Sequence, residues 1–360
     1  MDKTEKQKKL IVWEPNGGGH RFMYVKFIAR YALANGIPFE IYTTTEAIAL
    51  PEWKVHGLDA YPHGTGESLA DIVKVISLEP EYNCLLIVPD ADRWLLQCMG
   101  QWNSLHRLSL SLLIMRPVAG KSLSSRINHL AKLALLATIR LTFTRVSIFA
   151  LTSHGMRLPT PYRALGIKSL FDPVEWNPTM NRGELGLTQD QLSKTLFLVA
   201  GELSERKYIL EIVAAWDSVK PNKALLVLVG RVSTTIASEL DNLINSNHTI
   251  LYIDDYVSNE AFDSWINAAD YVFVLHRNVA SSGVSHKASL SSHATVVCGG
   301  LQSNVHSIQS LGARYTNLET ISIDSISNFF NDFDHHLKHE GMQLNLNNPK
   351  TWAEVLSQSS

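Results

Sequence analysis

Residues 279–300, VASSGVSHKASLSSHATVVCGG, place Ser281, Ser282, Gly283 and Val284 in a turn that opens onto a helix. A helix start leaves several backbone N–H groups unpaired, and those donors, with the positive end of the helix dipole, suit a phosphate or another anion. Carboxylates able to act as bases stand elsewhere: Glu14, Asp90 and Asp92 follow apolar runs that read as strands. A carboxylate at a strand end can orient a hydroxyl or accept its proton, although strand-end acids are also ordinary turn residues. No metal is expected. His335 and His336 in DFDHHLKHEG lack ligand spacing and read as a polar helix end. Cys84, Cys98 and Cys298 are too few and too scattered for a zinc site or a disulfide framework, and they suit a reducing cytoplasm.

Those residues need elements to hold them, and the apolar pattern supplies a regular alternation. KLIVWEP reads as a strand, NGGGHRFMYVKFIARYALANG as a glycine turn feeding a helix that stops at Asn35-Gly36, and PFEIYTT and NCLLIVPD as further strands. RWLLQCMGQW, LSLLIMRP, SSRINHLAKLALLATIRL and VSIFALTS continue it. Residues 168–186, KSLFDPVEWNPTMNRGELG, break the alternation with prolines and turns and read as a linker. A second series follows: TLFLVAG, a helix over SERKYILEIVAAWDSV, KALLVLVG, TTIASELDNLINS, HTILYID, a helix capped by Ser258, YVFVLH, and ATVVCGG. Near-continuous apolar strands between helices predict parallel sheets covered on both faces. The fold class is therefore α/β, two Rossmann-like domains in tandem, with a ligand expected between them at strand C-terminal ends.

Bulk properties agree with a globular chain of two domains. The 360 residues are 45% hydrophobic and 18% charged. The start, MDKTEKQKKLIVWEP, is too polar for a signal peptide, and no uncharged stretch approaches the roughly 20 residues of a membrane span. Charge is unevenly placed. Residues 1–171 hold 20 Lys and Arg against 13 Asp and Glu, and the rest hold 12 against 21. From Arg93 to residue 171 there are 11 basic residues and no acid. Such a front half is suited to an anionic partner.

The second series resembles the donor domain of retaining GT-B glycosyltransferases, the glycogen-synthase-like group of the group 1, family 4 type. The residues that carry the likeness are GELSERKYILEIVAAW, LLVLVGRV, LYIDDYVSNEAFDSWINAADYVFVLHR, SSGVSHKASL and ATVVCGG. The front half is similar through NGGGH, IFALTSHGMR and DPVEW, and the tail NPKTWAEVLSQ resembles the family's last helix, which returns to the first domain. The likeness covers most of the chain. It implies an N-terminal acceptor-side domain over 1–172, a linker over 173–186, a nucleotide-sugar domain over 187–341 and a crossover helix over 342–360.

The resemblance also names the anion: the diphosphate of a nucleotide sugar. Backbone N–H groups of Ser281, Ser282, Gly283 and Val284 would bind it, and Arg206 and Lys207 would neutralise the leaving group without a metal or other cofactor. Gly17, Gly18 and Gly19 would let the front-domain backbone approach the diphosphate or sugar, with His20 at the helix start offering a hydrogen bond. Their spacing is not that of a dinucleotide binder. His276 lies beside the expected sugar position, and Asp92 resembles in placement the family's catalytic-side residue of the front domain. There is one departure. Many members carry two glutamates, Glu-x7-Glu, across the loop, whereas ASSGVSHKASL has no carboxylate and sets His286 and Lys287 near the second. Ribose would then fall to backbone groups or to Ser289, or the donor site is altered.

The segment 121–145 gives the basic half a shape. On a helical wheel Lys121, Arg126, His129, Lys132 and Arg140 share one arc, with Leu133 and Leu136 among them. Ile127, Leu130, Ala131, Ala134, Thr138 and Leu141 lie opposite. The basic arc is expected to rest on an anionic membrane, its leucines dipping and its cations meeting headgroups. No nucleic-acid motif accompanies it, so nucleic acid is not expected as a partner. Together these readings predict a cytoplasmic enzyme, peripheral on the inner face of the membrane, that moves a sugar from a nucleotide donor to a carbohydrate or polyprenyl-linked acceptor during surface polysaccharide or glycoconjugate synthesis. Two alternatives stand beside it. One is a GT-B-like accessory protein without catalysis. The other is a different nucleotide-sugar enzyme such as an epimerase, which would act without an acceptor.

Overall fold

The computed structural model describes residues 6–16, 20–101, 108–117, 123–152, 157–244, 249–255, 257–277, 283–300, 302–333 and 349–357. They form two compact units, each built on one parallel sheet. The first unit runs to Thr152, continues over Arg157–Pro173, and regains the chain at its C-terminal helix, Pro349–Ser357. Its strands are β1 (Gln7–Trp13), β2 (Phe39–Thr43), β3 (His63–Thr65), β4 (Tyr82–Val88), β5 (Ser109–Ile114), β6 (Val146–Thr152) and β7 (Lys168–Phe171), in the order β3-β2-β1-β4-β5-β6-β7. The second unit, from Val174, holds β8 (Thr195–Ala200), β9 (Ala224–Val229), β10 (Ile250–Ile253), β11 (Tyr271–Leu275), β12 (Thr295–Gly299) and β13 (Tyr315–Leu318), in the order β10-β9-β8-β11-β12-β13.

The two-sided burial expected of these strands is present. Along β1, Leu10 and Val12 enter the core on one face while Ile11 and Trp13 enter the other. Along β8, Phe197 and Val199 face one core and Leu196, Leu198 and Ala200 the other. Period-two alternation sends successive side chains to opposite faces, so a strand covered on both sides is apolar throughout. Helix punctuation matches too: Gly36 adopts φ +62° just past the His20–Ala34 helix, and the Ser258 hydroxyl accepts the N–H of Ala261 as an N-cap.

In both sheets the chain starts near the middle, builds outward to one edge, and returns to build the other. The reversal falls between β1 and β4 in the first unit and between β8 and β11 in the second. At such a switch point the loops leaving the two strand ends part in opposite directions and open a crevice for a ligand. Aromatic packing fixes the second pair: Phe197 of β8 stacks on Tyr271 of β11 at 4.8 Å, with Phe330 and Phe333 edge-on at 5.4 and 5.1 Å.

Three details differ from the sequence reading. Residues 168–171 are not linker but the edge strand β7, paired with β6. The edge strands β3 and β13 were also not expected; with three and four residues, they are too short to show an alternation. The third is the rotation of the Leu123–Thr142 helix, whose basic arc turns its His129 and Lys132 inward while Arg126 and Arg140 stay exposed. Lys132 reaches the Asp92 carboxylate at 2.9 Å, His129 lies against Tyr162, and Leu136 and Ile139 are buried. Solvent instead meets the other side of the wheel: Leu123, Ile127, Leu130 and Leu141 are 57–87% exposed. The buried demand for Lys132, Leu133 and Leu136 outweighed the wheel's apparent polarity.

Candidate functional site

In the second unit, β8 ends at Ala200 and Gly201 continues in the left-handed region at φ +85°. The helix expected from Ser204 onward is interrupted. Glu205–Lys207 form one short turn, Tyr208 takes φ +58°, and the regular helix starts only at Ile209. That break folds Lys207 back over the strand end, where it is 8% exposed and its Nζ donates to the Ala200 carbonyl at 2.6 Å. A Cβ on residue 201 would stand 2.9 Å from that Nζ, so Gly201 makes the room. Burial pulls the Lys207 ammonium down to about 7, with the nearby Arg206 charge pulling the same way.

The end of β11 completes the group. His276 follows the strand and is 5% exposed. Burial first, then the charges of Lys207 and Arg206, lower its imidazole to about 4, so it is neutral at physiological pH. The amide of Arg277 donates to the Arg206 carbonyl at 2.9 Å, and its guanidinium lies 4.2 Å over the Tyr208 ring and pairs with Glu211. The basic turn is thereby fastened to β11. From above, the Gly283–Leu290 helix begins over the same spot: the Val284 methyl lies 3.8 Å from where a Cβ on Gly201 would be. The structure thus gathers Arg206, Lys207, His276, Gly283 and Val284 at the second switch point. Ser281 and Ser282 lie outside the described residues.

Lys287, near the position of the family's second glutamate, is otherwise engaged. It forms a buried ion pair with Asp263, whose second oxygen accepts the N–H of Asn177 at 2.9 Å. Asp263 was not singled out in the sequence. Its signal was only a polar residue on the buried face of SNEAFDSWINAAD. Ser289 donates its hydroxyl to the Ser285 carbonyl at 2.7 Å. The second switch point therefore carries Arg206, which pairs with Glu202 at 3.4 Å, and the buried Lys207, with no carboxylate contributed by the Gly283–Leu290 helix.

The first unit places acidic residues at its own switch point. Glu14 follows β1 and Asp90 follows β4, and the two are 1% and 4% exposed. Asp90 accepts from Arg21 Nε at 2.7 Å, a partner 69 positions away that the sequence did not reveal. Glu14 accepts the N–H of Asn16 at 3.0 Å through Oε1, while Oε2 is buried with no hydrogen-bond partner. Burial, then the Asp90 charge, raise the Glu14 carboxyl to about 8. Asp92 is held apart from this pair. Its carboxylate accepts the N–H groups of Met115 and Arg116 and the Lys132 ammonium at 2.9–3.0 Å, which ties the exit of β5 to the Leu123–Thr142 helix. His20 starts the first helix as expected, but its side chain and Gly17, Gly18 and Gly19 lie outside the described residues, as do His335 and His336. Among the described residues no three His, Cys, Asp or Glu cluster as metal ligands.

No protein-family model matches the chain, and no curated protein is significantly similar to it in sequence. Solved structures are similar in fold. The Anabaena protein HepE in complex with UDP-glucose is 13% identical with a TM-score of 0.62, over 97% of this chain and 94% of that one. The UDP-forming α,α-trehalose-phosphate synthase of Burkholderia xenovorans, in complex with glucose-6-phosphate, is 11% identical with a TM-score of 0.61, over 97% and 98%. A glycosyltransferase from Rickettsia africae is 12% identical with a TM-score of 0.62, over 98% and 92%. Two Rossmann-like units in this order are the GT-B fold, and that fold is what the chain has.

Proposed function

We propose that this chain is a GT-B glycosyltransferase that takes a sugar from a nucleoside-diphosphate donor. The observation that carries the reading is the buried Lys207, folded over the end of β8 beside Arg206 and beneath the start of the Gly283–Leu290 helix. A buried cation with a half-buried cationic neighbour and a helix start at a switch point suits a polyanion. HepE, of the same fold, binds UDP-glucose, and a UDP-forming synthase shares it. The donor diphosphate then rests on Arg206, Lys207 and the loop before Gly283, and this charge supports departure of the nucleotide without a metal. His276, kept neutral, serves as a hydrogen-bond partner for the sugar or phosphate, not as a charge. We further assign retention of anomeric configuration, a hexosyl donor, and a carbohydrate or polyprenyl-linked acceptor at the cytoplasmic membrane face, in surface polysaccharide or glycoconjugate synthesis.

The test is a thermal-shift and calorimetric screen against UDP, GDP, ADP, CMP and their sugars, with and without Mg²⁺. One nucleoside diphosphate is expected to stabilise the wild type, equally without Mg²⁺, by about 2.7 kcal/mol at a hundredfold excess over Kd. The Arg206→Ala/Lys207→Ala variant is expected to lose that response. Silence across the panel removes the transferase reading and leaves an accessory protein, the alternative favoured by Lys287 being locked to Asp263. Turnover of the nucleotide sugar with no acceptor present points instead to an epimerase.

A further inference from the structure

The Leu123–Thr142 helix shows solvent an apolar stripe. Leu123, Ile127, Leu130, Ala134 and Leu141 recur at spacings of four, three, four and seven residues, which puts them on one line along the helix. Their exposure is high for such side chains: 75% for Leu123, 57% for Ile127, 66% for Leu130 and 87% for Leu141. Isolated exposed leucines need no explanation, but a contiguous line of them marks an interaction surface. The helix is 20 residues long and no helix among those described is apolar enough to cross a membrane. Its stripe is about 27 Å long at 1.5 Å per residue, laid along the protein and not through a bilayer.

The surroundings say what covers it. Arg126 is exposed beside the stripe, Arg140 lies further round the helix with its guanidinium donating to the Val146 carbonyl at 3.0 Å, and Arg145, Arg163 and Lys168 are exposed in the segments that follow. Between residues 94 and 171 there is no carboxylate. A second copy of this chain would present the same acid-free stretch to itself, leaving those cations unpaired as they lost water. An anionic bilayer supplies both missing partners: acyl chains for the leucines and phosphate headgroups for the arginines.

We propose that the Leu123–Thr142 helix docks on an anionic lipid surface through the Leu123, Ile127, Leu130 and Leu141 face, with Arg126 and its basic neighbours meeting headgroups. This face is opposite the centre of the arc that the wheel had suggested and meets it only at Arg126, because Lys132 and His129 serve the interior. The inference deepens the membrane-face part of the proposed function and not its sugar-transfer part, so a nucleotide screen and a lipid assay fail separately.

The experiment is flotation of the full chain with vesicles of phosphatidylcholine, and with the same vesicles containing phosphatidylglycerol. The wild type is expected to float with the anionic vesicles at least about tenfold better, and less well as salt rises. Ile127→Asp/Leu130→Asp changes only exposed positions, so its melting temperature is expected to be that of the wild type. Its flotation is expected to fall about tenfold or more, since two buried apolar contacts are lost and two like charges gained. Flotation of the wild type with neither vesicle overturns the proposal, as does a variant that floats unchanged. A concentration-dependent dimer of the wild type, dissolved by the same two substitutions, overturns it in favour of a second copy.

Discussion

The two switch points share a topology and differ in the titratable groups they bury. Where β1 and β4 part, two carboxylates, Glu14 and Asp90, are buried around one guanidinium. Where β8 and β11 part, a buried ammonium, Lys207, sits beside Arg206 and a neutral imidazole. Burial penalises charge in both places, and it moves the two groups in opposite directions toward neutrality: Glu14 rises to about 8 and Lys207 falls to about 7. The comparison teaches that the α/β topology supplies a crevice but no preference. The residue that follows the strand decides whether the crevice carries acidic or basic groups.

The largest expected effect separates the units from each other. The first unit takes its last piece of core from the chain end: Trp352 is 1% exposed, stacked 5.0 Å from Tyr24, with Phe27 at its edge. Trp352→Ala is expected to cost about 3–5 kcal/mol in the first unit. If the cationic crevice belongs to the second unit alone, the nucleotide-induced stabilisation of that unit persists in the variant. Calorimetry with and without nucleotide checks both, and loss of the ligand effect together with the stability would break the separation.

Next is the acidic crevice of the first unit. Glu14 holds its proton in the folded protein up to about pH 8, whereas the unfolded carboxyl releases it near its usual 4.5. The folded state therefore binds more protons between those values, and stability falls as pH rises across that window. Glutamine mimics the protonated form and has no such slope. Glu14→Gln is expected to match the wild type near pH 5 and to be more stable by about 2–4 kcal/mol at pH 8, read as a melting temperature roughly 5–10 °C higher. Parallel melting curves for the two proteins from pH 5 to 8 would mean that Glu14 is ionised throughout.

The cationic crevice is tested by Lys207→Met, which keeps length and apolar bulk. On the proposed function it removes a charge-assisted contact with the donor diphosphate, so affinity is expected to drop about 30- to 100-fold in titration calorimetry. Without nucleotide the variant is expected to be no less stable than the wild type, because a buried cation is itself costly. A variant that binds normally would leave Arg206 and the loop amides as the whole site.

Much of this was legible in the residues themselves. Continuous apolar strands announced parallel sheets, and Ser258 and Gly36 fixed helix ends where expected. Arg206, Lys207 and His276 were visible as polar groups at strand exits, and the structure brings them to one place. What the sequence could not show were facts of rotation and partnership. A wheel ranks faces by polarity and does not know that Asp92 lies across from Lys132, so it turned the Leu123–Thr142 helix the wrong way. A helical pattern through SERKYILEIV hid the left-handed Tyr208, which is what folds Lys207 inward. Nor does spacing reveal Asp263 with Lys287 or Arg21 with Asp90, pairs separated by 24 and 69 positions.

The smallest effect is the one that reads the sign of the second crevice directly. With Lys207 titrating at about 7, it is mostly neutral at pH 8, yet a diphosphate favours its charged form. Binding at pH 8 is then expected to draw in most of one proton, and at pH 6 almost none. Affinity should weaken by up to about tenfold per pH unit above 7 by linkage. The nucleotide's own terminal phosphate titrates near pH 6, so the range from 7.5 to 8.5 isolates the protein. Titration in two non-phosphate buffers of different ionisation enthalpy measures the uptake, and Lys207→Met should abolish it. Equal uptake in both proteins would show that Lys207 does not change charge on binding. A cation already charged in the empty crevice would have to be compensated there, and the contrast with Glu14 would rest on charge alone and not on a shared response to burial.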